Sequence, residues 1–464
     1  MTSTALIVLA AGAGQRMKSA LPKPLHRVAG ISMLEHVLAA GGAIDPAVTV
    51  LVVSPQTLRA AEAIGRPDIR VVVQDPPLGT GDAVRVGLNA CSECDRAIML
   101  YADSPLLTGD IVQKLLAALD NPAIRIAVLT TVVPEARGYG RIERVDGNPV
   151  AIVEKKSDDP LKRIGSIEIN SGMMAFDANW ALAELNALQP NPESGEYYLT
   201  DLVEKAASSH VVGTDWPIVT VNGDTESLLG VNDRVELAEA EAILLDRIRR
   251  SHQVNGVTLR LPQTITIEIG VEIGRDTVIE PGTIIRTGSR IGESCVIGPN
   301  SVIDRAAIGN DVKVVSSTLE SCEVGDGTDI GPYSHLRTGA KIGRGVHIGN
   351  YVEIKSTYVN DGVKIGHVSY LGDAVIGAET NIGAGTITAN FDGVHKNKTI
   401  IGAKVFIGSD TMLVAPVEIG DGAKTGAGSV VTRDVAPGTL VVGVPAKPRL
   451  PDDSGNSSSG ERNG

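Results

Sequence analysis

The stretch 273-IGRDTVIEPGTIIRTGSRIGESCVIGPNSVI-303 places an aliphatic residue at every sixth position. The same spacing returns in residues 324–354 and 401–419. An amphipathic α-helix repeats near every 3.6 residues and an amphipathic strand every second residue, so neither accounts for this period. A parallel β-helix does, because each coil has three short strands that each turn one aliphatic side chain inward. At about 18 residues per coil, the pattern predicts roughly ten coils.

The N-terminal half of the chain has a different pattern, in which short apolar runs alternate with longer amphipathic stretches. This alternation predicts a Rossmann-like domain over residues 1–228, with a mostly parallel sheet and helices on both faces. The candidate strands are 5–11, 48–53, 69–74, 97–102 and 126–133, and two of the helical patterns are 32–40 and 110–119.

Three further segments complete the predicted organisation. Residues 229–252 form one long helical pattern, with Asn232 as its candidate N-cap, and we interpret it as a linker helix. The β-helix domain is predicted over 253–450. The tail 451–464 is rich in Gly and Ser and is predicted to be disordered.

Charge and cysteine content narrow the function classes. The chain has 42 Lys and Arg against 55 Asp and Glu, a formal charge of -13. It has no basic block, which argues against nucleic-acid binding, and no apolar run long enough for membrane insertion.

The four cysteines do not form a disulfide framework, so we expect a reducing, cytoplasmic setting. The lone 91-CSEC-94 motif lacks the further ligands of a zinc site, and we expect two half-buried thiols near a helix end.

The loop after the first strand, 9-LAAGAGQRM-17, has the small residues that let backbone N–H groups approach phosphates. Arg16 and Lys23 add cations. The third Gly of a dinucleotide fingerprint is absent, which favours another nucleotide-binding mode. Asp103 follows a predicted strand end, where open α/β sheets bind ligands, and a lone carboxylate there suits Mg²⁺. The alternative for Asp103 is a turn or helix-capping role.

In the β-helix half, 364-KIGHVSYLGD-373 interrupts the small and aliphatic repeat with His367 and Tyr370. Arg337 and Lys355 are 18 residues apart, so they should stack on one face as an anion site. Residues 386–399 break the period, which predicts a functional loop. Acyl transfer to an amine needs a base, and histidine serves that role near neutral pH. The alternative for His367 is a solvated residue without chemistry.

Motifs along the whole chain resemble those of a known enzyme family. In order they are LAAGxGxRM, the PK pair 22–23, LGTG, YADSPL, 138-GYGRI-142, 152-IVEKK-156, 168-EINSG-172, 196-EYYLTD-201 and 230-GVNDR-234. This series resembles sugar-1-phosphate nucleotidyltransferases. With the hexapeptide half attached, the chain resembles the bifunctional bacterial N-acetylglucosamine-1-phosphate uridyltransferase / glucosamine-1-phosphate acetyltransferases over nearly its full length. The resemblance implies a left-handed β-helix and UDP-N-acetylglucosamine synthesis.

The resemblance also implies the residues of both sites. For UTP and the UDP-sugar they are Leu9, Ala10, Gly12, Arg16, Lys23, Gln74, Gly79, Thr80, Tyr101, Gly140, Glu154, Asn170 and Asn232, with Asp103 and Asn232 holding Mg²⁺. Within this set, Arg16 and Lys23 bind the triphosphate, and Gly140, Glu154 and Asn170 contact the sugar. His367 is implied as the acetyl-transfer base, and Glu353 is the candidate residue to orient its imidazole. The glucosamine-1-phosphate residues are Arg337, Lys355, Tyr370 and Asn381, and the acetyl-CoA residues are Ala384, Asn390, Phe391, Lys396, Ser409 and Ala427.

Three positions depart from the family pattern. Ala102 replaces the usual Gly before the metal-binding Asp, and we expect its methyl group to tighten the nucleotide pocket slightly. Phe391 stands where Tyr is common, so one hydroxyl contact is lost. The late arginine near coenzyme A has no obvious match, and Lys447 or Arg449 are the candidate replacements.

Two other functions compete with the two-site enzyme. One is a single-activity nucleotidyltransferase whose β-helix serves only assembly and regulation. The other is a non-catalytic subunit, which should have lost Arg16, Lys23 and Asp103. The long array, the candidate His367 site and the period-breaking loop favour two activities. Flat β-helix faces can be shared between subunits, and together with the family resemblance they predict a homotrimer with acetyl sites between subunits.

Overall fold

The computed structural model describes residues 2–448 apart from 13, 137, 157 and 229. The predicted tail, and Arg449 with it, lie outside these residues. The chain divides into two compact units, Met1–Leu244 and Leu245–Gly464. In the part of the chain that is described, no helix has the length and apolar composition needed to cross a membrane.

The first unit is built on a twisted sheet with helices around it. Its strands are β1 (Thr4–Leu9), β2 (Arg27–Val28), β3 (Ile31–Ser32), β4 (Val48–Val53), β5 (Ile69–Val73), β6 (Arg96–Tyr101), β7 (Ile126–Glu135), β8 (Arg141–Val145), β9 (Asn148–Val153), β10 (Ile164–Asp177) and β11 (Ile218–Asn222). The α-helices are α1 (Met33–Gly42), α2 (Leu58–Ile64), α3 (Thr80–Asn89), α4 (Gly109–Ala117), α5 (Ala178–Ala187), α6 (Asp201–Ser208) and α7 (Arg234–Val254), of which α7 begins in the first unit and ends in the second.

The main sheet has the strand order β11-β7-β10-β6-β1-β4-β5. Pairing is parallel from β6 through β1 and β4 to β5, and β10 runs antiparallel to both of its neighbours. The strands β1, β4 and β6 are almost continuously buried because apolar clusters cover both faces of the sheet. The predicted Rossmann-like, mostly parallel architecture is confirmed.

The N-terminus of α7 differs from the expected one. Asp233 caps the helix, since its Oδ1 accepts from the backbone N–H groups of Val235 at 2.9 Å and Glu236 at 3.0 Å. Asn232 was the predicted cap, but its side-chain oxygen is engaged by Arg16 and Lys23. The aspartate one position later satisfies the free N–H groups of the first turn, which leaves Asn232 available for another role.

The second unit is a left-handed parallel β-helix, as predicted. Two of its faces form one continuous sheet whose strands are Thr258–Leu259, Thr266–Ile267, Val278–Ile279, Ile284–Ile285, Val296–Ile297, Val302–Asp304, Lys313–Val314, Thr318–Glu320, Asp329–Ile330, His335–Leu336, His347–Lys355, Lys364–Gly372, Asn381–Ile382, Ile387–Ala389, Phe406–Ile407, Met412–Val414, Lys424–Thr425, Val430–Val431, Leu440–Val442 and Lys447–Pro448. The strands of the third face are Glu272–Ile273, Arg290–Ile291, Ala307–Ile308, Glu323–Val324, Lys341–Ile342, Tyr358–Val359, Ala374–Ile376, Thr399–Ile401 and Val417–Ile419.

The hexapeptide period gives the β-helix its core. The sixth-position aliphatic residues stack inside the coils, and residues such as Ile285, Ile303 and Ile348 have no exposed surface. Full burial of one such side chain stabilises the fold by about 1.5–3 kcal/mol. At Gly349 a Cβ atom would overlap the carbonyl oxygen of Gly366 on the next coil, so only glycine allows the two coils to approach there.

The CxxC thiols are buried and free. Cys91 and Cys94 follow the end of α3, and the Cys91 thiol donates to the Gly87 carbonyl at 3.2 Å. Burial raises the pKa of Cys91 to about 12, which keeps it protonated and unreactive. The expected position near a helix end agrees with the structure, but the expected half-burial is wrong, since both thiols are fully buried.

Candidate active sites

A cleft of about 1010 Å³ opens at the carboxyl ends of the parallel strands in the first unit. β1 and β6 are neighbours and end in register, with Leu9 opposite Tyr101. Both residues line the cleft, as does Asp103 two residues beyond β6. Parallel strands bring these chain segments together because their carboxyl ends share one edge of the sheet.

The predicted phosphate-binding cations meet the predicted metal ligands beside this edge. The Lys23 ammonium forms an ion pair with Asp103 and also donates to Asn232 Oδ1 at 3.0 Å. Arg16 donates to the same amide oxygen at 2.9 Å. The Asp103 carboxylate and the Asn232 amide oxygen therefore converge on one cation, the ammonium of Lys23. Two oxygen donors that share a cation fit a hard metal ion such as Mg²⁺.

The nucleotide side of the cleft is formed where β5 leads into α3. Buried Gln74 follows β5, and its amide donates to the Gly79 carbonyl at 3.0 Å and to Asp82 at 2.8 Å. Gly79 has φ +100°, and a Cβ atom there would lie 2.7 Å from the Tyr197 carbonyl oxygen. Glycine is therefore required for the turn that leads into the start of α3.

The opposite side holds the residues predicted to bind the sugar. Gly140 accepts a backbone hydrogen bond from Asn170 at 2.9 Å, which joins two segments that line the cleft. Burial raises the pKa of the Glu154 carboxyl, while a hydrogen bond from Thr200 and the positive charge of Arg163 oppose that shift. This side therefore offers an amide, a carboxyl and a backbone turn to a hydroxyl-rich ligand.

Most of the predicted nucleotide-site residues line this cleft, namely Leu9, Gly12, Gln74, Gly79, Thr80, Tyr101, Asp103, Gly140, Glu154 and Asn170. Ala10 is buried in the core beside them. Thr200 also lines the cleft and was not predicted, although it lies within the quoted motif 196–201. We expected the methyl group of Ala102 to tighten the nucleotide pocket, and this expectation was wrong. The methyl group is buried in the hydrophobic core behind the sheet, where it does not tighten the pocket.

In the second unit, His367 lies on the strand Lys364–Gly372 and is exposed. Its Nδ1 is 2.6 Å from the side-chain oxygen of Asn350, the residue directly opposite on the preceding coil. An amide oxygen can only accept, so Nδ1 carries the proton and Nε2 keeps a free lone pair. The imidazole is thereby held in the tautomer that a general base requires.

A cationic set lies five residues further along the coil, because Lys355 is opposite Gly372 whereas Asn350 is opposite His367. Leu336 pairs with Ile354, so Arg337 and Lys355 occupy equivalent positions on successive coils. Arg337 forms an ion pair with Glu353 at 2.7 Å, and Glu353 is opposite Tyr370 in the next coil. Glu353, which we expected to orient His367, is thus engaged by Arg337, and Asn350 contacts the imidazole instead.

The period-breaking loop projects from the coil that carries Asn390. Ile382 pairs with Ile407, 25 residues later, whereas Ile365 pairs with Ile382, 17 residues later. The loop is a short hairpin in which Phe391 pairs with Lys396. Buried Asn390 donates to the Asp373 carboxylate at 2.5 Å, which anchors the base of the loop.

Lys396 at the end of this hairpin lies beside Lys355. The neighbouring Lys355 ammonium lowers the pKa of Lys396, and Asp373 opposes the shift. Two cations this close indicate a place where an anion would relieve their repulsion.

We predict that Lys355→Met raises the pKa of Lys396, because the neighbouring charge is removed. The measurement is the pH dependence of reductive methylation at Lys396, read by mass spectrometry. Its half-maximal rate should move to higher pH in the variant. An unchanged profile would show that the two ammonium groups do not interact in solution.

The remaining predicted acetyl-CoA residues form a column along one corner of the β-helix. The Asp410 N–H donates to the Ala384 carbonyl at 2.7 Å, and the Gly428 N–H donates to the Ser409 carbonyl at 2.8 Å. Continuing the paired strands by two residues places Ala384, Ser409 and Ala427 below His367 on successive coils. Asn381 is three residues earlier on the first of these coils, paired with Lys364. The column offers small side chains in register with the histidine, and Ser409 and Ala427 are exposed.

Sequence comparison places both halves in known families. Residues 6–177 match the MobA-like NTP transferase domain. Residues 270–305, 321–356 and 398–433 match the bacterial transferase hexapeptide (six repeats). These matches agree with the fold of each unit.

Relatives match the chain over both units. The bifunctional protein GlmU of Azotobacter vinelandii is 43% identical over 441 residues, which cover 94% of this chain and 95% of the relative. The GlmU protein of Streptomyces coelicolor is 41% identical, with 94% and 91% covered. That of Fervidobacterium nodosum is 41% identical, with 94% of each chain covered.

Identity at this level over nearly the whole length confirms the resemblance predicted from the motifs. The name of these relatives also agrees with a two-activity enzyme rather than a single-activity one. The chain therefore belongs to the family of bifunctional GlmU proteins.

Proposed function

We propose that the chain makes UDP-N-acetylglucosamine in two steps at two separate sites. The β-helix transfers an acetyl group from acetyl-CoA to glucosamine-1-phosphate. The first unit then transfers a uridylyl group from UTP to N-acetylglucosamine-1-phosphate. The observation that carries this proposal is the presence of two complete sets of reactive groups, one at the edge of the α/β sheet and one around His367.

In acetyl transfer, the substrate amine attacks the thioester carbonyl while His367 Nε2 takes an amine proton. The new C–N bond replaces the C–S bond, and coenzyme A leaves as a thiol. Arg337 and Lys355 hold the sugar phosphate, and Tyr370 and Asn381 complete that site. Coenzyme A lies along the column of Ala384, Ser409 and Ala427, and the Asn390–Lys396 hairpin covers the acetyl end.

In uridylyl transfer, a phosphate oxygen of the sugar phosphate attacks the α-phosphorus of UTP, and pyrophosphate leaves. Every reacting partner is an anion, so positioning and charge neutralisation supply the catalysis. Arg16 and Lys23 bind the triphosphate once Lys23 leaves Asp103. Mg²⁺ held by Asp103 and Asn232 would neutralise phosphate charge in the transition state. Gln74 and Gly79 hold the uridine, and Glu154 and Asn170 hold the sugar.

The direct test is to assay the purified chain for each half-reaction. Thiol release from acetyl-CoA should depend on glucosamine-1-phosphate, and pyrophosphate release from UTP should depend on N-acetylglucosamine-1-phosphate and Mg²⁺. Pyrophosphate without any sugar-dependent thiol release would favour the alternative, in which the β-helix is only an assembly or regulatory module.

We further propose a cytoplasmic homotrimer formed through the β-helix. Support comes from exposed aromatic residues near the acetyl site: Tyr333 and Tyr351 stack at 5.6 Å with 62% and 58% of their surfaces exposed, and Phe391 is 60% exposed. Such apolar surface favours burial between subunits. The four free, buried thiols suit a reducing compartment.

The trimer is tested by light scattering coupled to size exclusion. We expect a particle of three times the 48.3 kDa chain mass at micromolar concentration. Charged replacements of Tyr333 and Tyr351 should shift the particle toward monomer and reduce acetyl transfer more than uridylyl transfer. A monomeric wild-type protein with full acetyl transfer would contradict shared sites.

A further inference from the structure

A buried ion cluster adjoins the sugar side of the nucleotide cleft. We call it the Asp158 clamp, and it consists of Asp158, Arg141 and Arg163. Arg141 donates two hydrogen bonds to the Asp158 carboxylate, from Nε to Oδ2 at 3.0 Å and from Nη2 to Oδ1 at 2.8 Å. Arg163 Nη1 donates to Oδ2 at 3.0 Å. The Asp158 side chain is only 2% exposed, so one buried carboxylate holds two guanidinium groups.

The clamp is tied directly to the wall of the cleft. The other terminal nitrogen of Arg163, Nη2, donates to the Tyr139 carbonyl at 2.7 Å. Tyr139 and Gly140 both line the cleft, and the Arg163 backbone carbonyl accepts from Ala136 at 3.0 Å. Arg141, which follows Gly140 directly, begins β8. The turn at 139–140 is therefore fixed from both of its ends by the same carboxylate.

Stability alone is a poor account of this cluster. Desolvating three charged groups costs several kcal/mol per ion in general, and well-packed apolar residues often serve stability equally well. Such a cluster does fix the orientation of its side chains, because bidentate guanidinium–carboxylate bonds set the angle as well as the distance. Here it fixes the orientation of a turn that lines the cleft next to Glu154.

We propose that Asp158 is a positioning residue for the sugar of the nucleotide-sugar site. It orients Arg141 and Arg163, which hold the Tyr139–Gly140 turn against the N-acetylhexosamine ring. The uridine and triphosphate contacts come from other elements, around Gln74 and Lys23, so they should not depend on the clamp. This inference rests on the proposed assignment of Gly140, Glu154 and Asn170 to the sugar.

The test compares two ligands on the full chain by calorimetry with Mg²⁺ present. Asp158→Asn should weaken UDP-N-acetylglucosamine binding about tenfold or more, since a displaced turn misplaces the sugar, and should leave the UTP affinity within about twofold. Asp158→Glu keeps the charge but lengthens the side chain, and it should show the same selective loss with a smaller drop in Tm. This second variant keeps the test decisive if Asp158→Asn folds poorly.

The matched control is Glu168→Gln, which breaks the Arg144–Glu168 ion pair, 2.8 Å long, on β8 and β10. It should leave both affinities unchanged. Glu154→Ala tests the sugar assignment itself and should selectively weaken UDP-N-acetylglucosamine.

If Glu154→Ala is selective but the Asp158 variants lower both affinities equally or neither, the positioning role is overturned while the proposed function stands. If Glu154→Ala is not selective, the sugar assignment fails and the positioning role fails with it.

Discussion

Replacing His367 with alanine should lower acetyl transfer by about a thousandfold, the middle of the roughly 10²–10⁴-fold range for loss of a general base. The amine of glucosamine-1-phosphate would keep its phosphate contacts at Arg337 and Lys355 but would have no group to take its proton. Uridylyl transfer should stay within about twofold of wild type because the residues proposed for it lie in the first unit. The measurement is initial-rate thiol release and pyrophosphate release on the same preparation.

The control for His367→Ala is His347→Ala. His347 is also an exposed histidine on the β-helix, and its Nδ1 lies 2.7 Å from the Asp329 carboxylate. It belongs to neither proposed site, so acetyl transfer should be nearly unchanged. An equal loss in the two variants would indicate damage to the β-helix rather than removal of a base. Retained acetyl transfer in His367→Ala would remove the histidine from the mechanism.

Replacing Asp103 should have the opposite selectivity. Asp103→Ala should lower uridylyl transfer roughly a thousandfold, because it removes one of two oxygen ligands proposed for the metal and frees Lys23 from its partner. Acetyl transfer should persist. A second readout is direct: Mn²⁺ binding with UTP, followed by electron paramagnetic resonance, should weaken in parallel with the rate.

Asp120→Asn serves as the control for Asp103. Asp120 forms an exposed ion pair with Arg96, at the opposite end of β6, at 2.8 Å. Exposed pairs contribute about 0–1 kcal/mol, so neither activity should change. If Asp103→Ala abolished both activities, two independent sites could not be maintained. If metal binding and uridylyl transfer survived, Asp103 would revert to the turn role considered for it.

The β-helix could be predicted from sequence because its fold depends on one local rule. Each coil needs an inward aliphatic residue at fixed spacing, and buried residues such as Ile285 and Ile348 meet that rule. The parallel sheet of the first unit could be predicted for a similar reason, since strands buried on both faces are continuously apolar. The 9–17 loop and Asp103 could be placed at the nucleotide site because they follow the carboxyl ends of such strands. Gly140, Glu154 and Asn170 were expected there only from the family resemblance.

The contacts that orient reactive groups could not be predicted in the same way. Asn350 pairs with His367 only because that coil is 17 residues long, one fewer than the period assumed from sequence. Asp158 and Arg141 are also 17 residues apart in the chain, and their contact depends on how the β8–β9 hairpin folds back. Such contacts depend on coil length and loop path, which residue spacing alone does not determine.

The assignment of Glu353 shows the same limit. Glu353 and Asn350 both lie on the coil that precedes His367. From the sequence, either residue could have been its partner. In the fold, Asn350 lies opposite His367, whereas Glu353 lies opposite Tyr370 and pairs with Arg337 at 2.7 Å. Only the register of the strands separates the two possibilities.

The central claim is that one chain carries two separable enzymes, and mixing the two variants tests it most directly. Purified His367→Ala and Asp103→Ala proteins are incubated, alone and together, with glucosamine-1-phosphate, acetyl-CoA, UTP and Mg²⁺, and UDP-N-acetylglucosamine is quantified by mass spectrometry. The account predicts almost no product from either variant alone and abundant product from the mixture, because N-acetylglucosamine-1-phosphate made by Asp103→Ala diffuses to His367→Ala. Product from one variant alone, or none from the mixture, would contradict it.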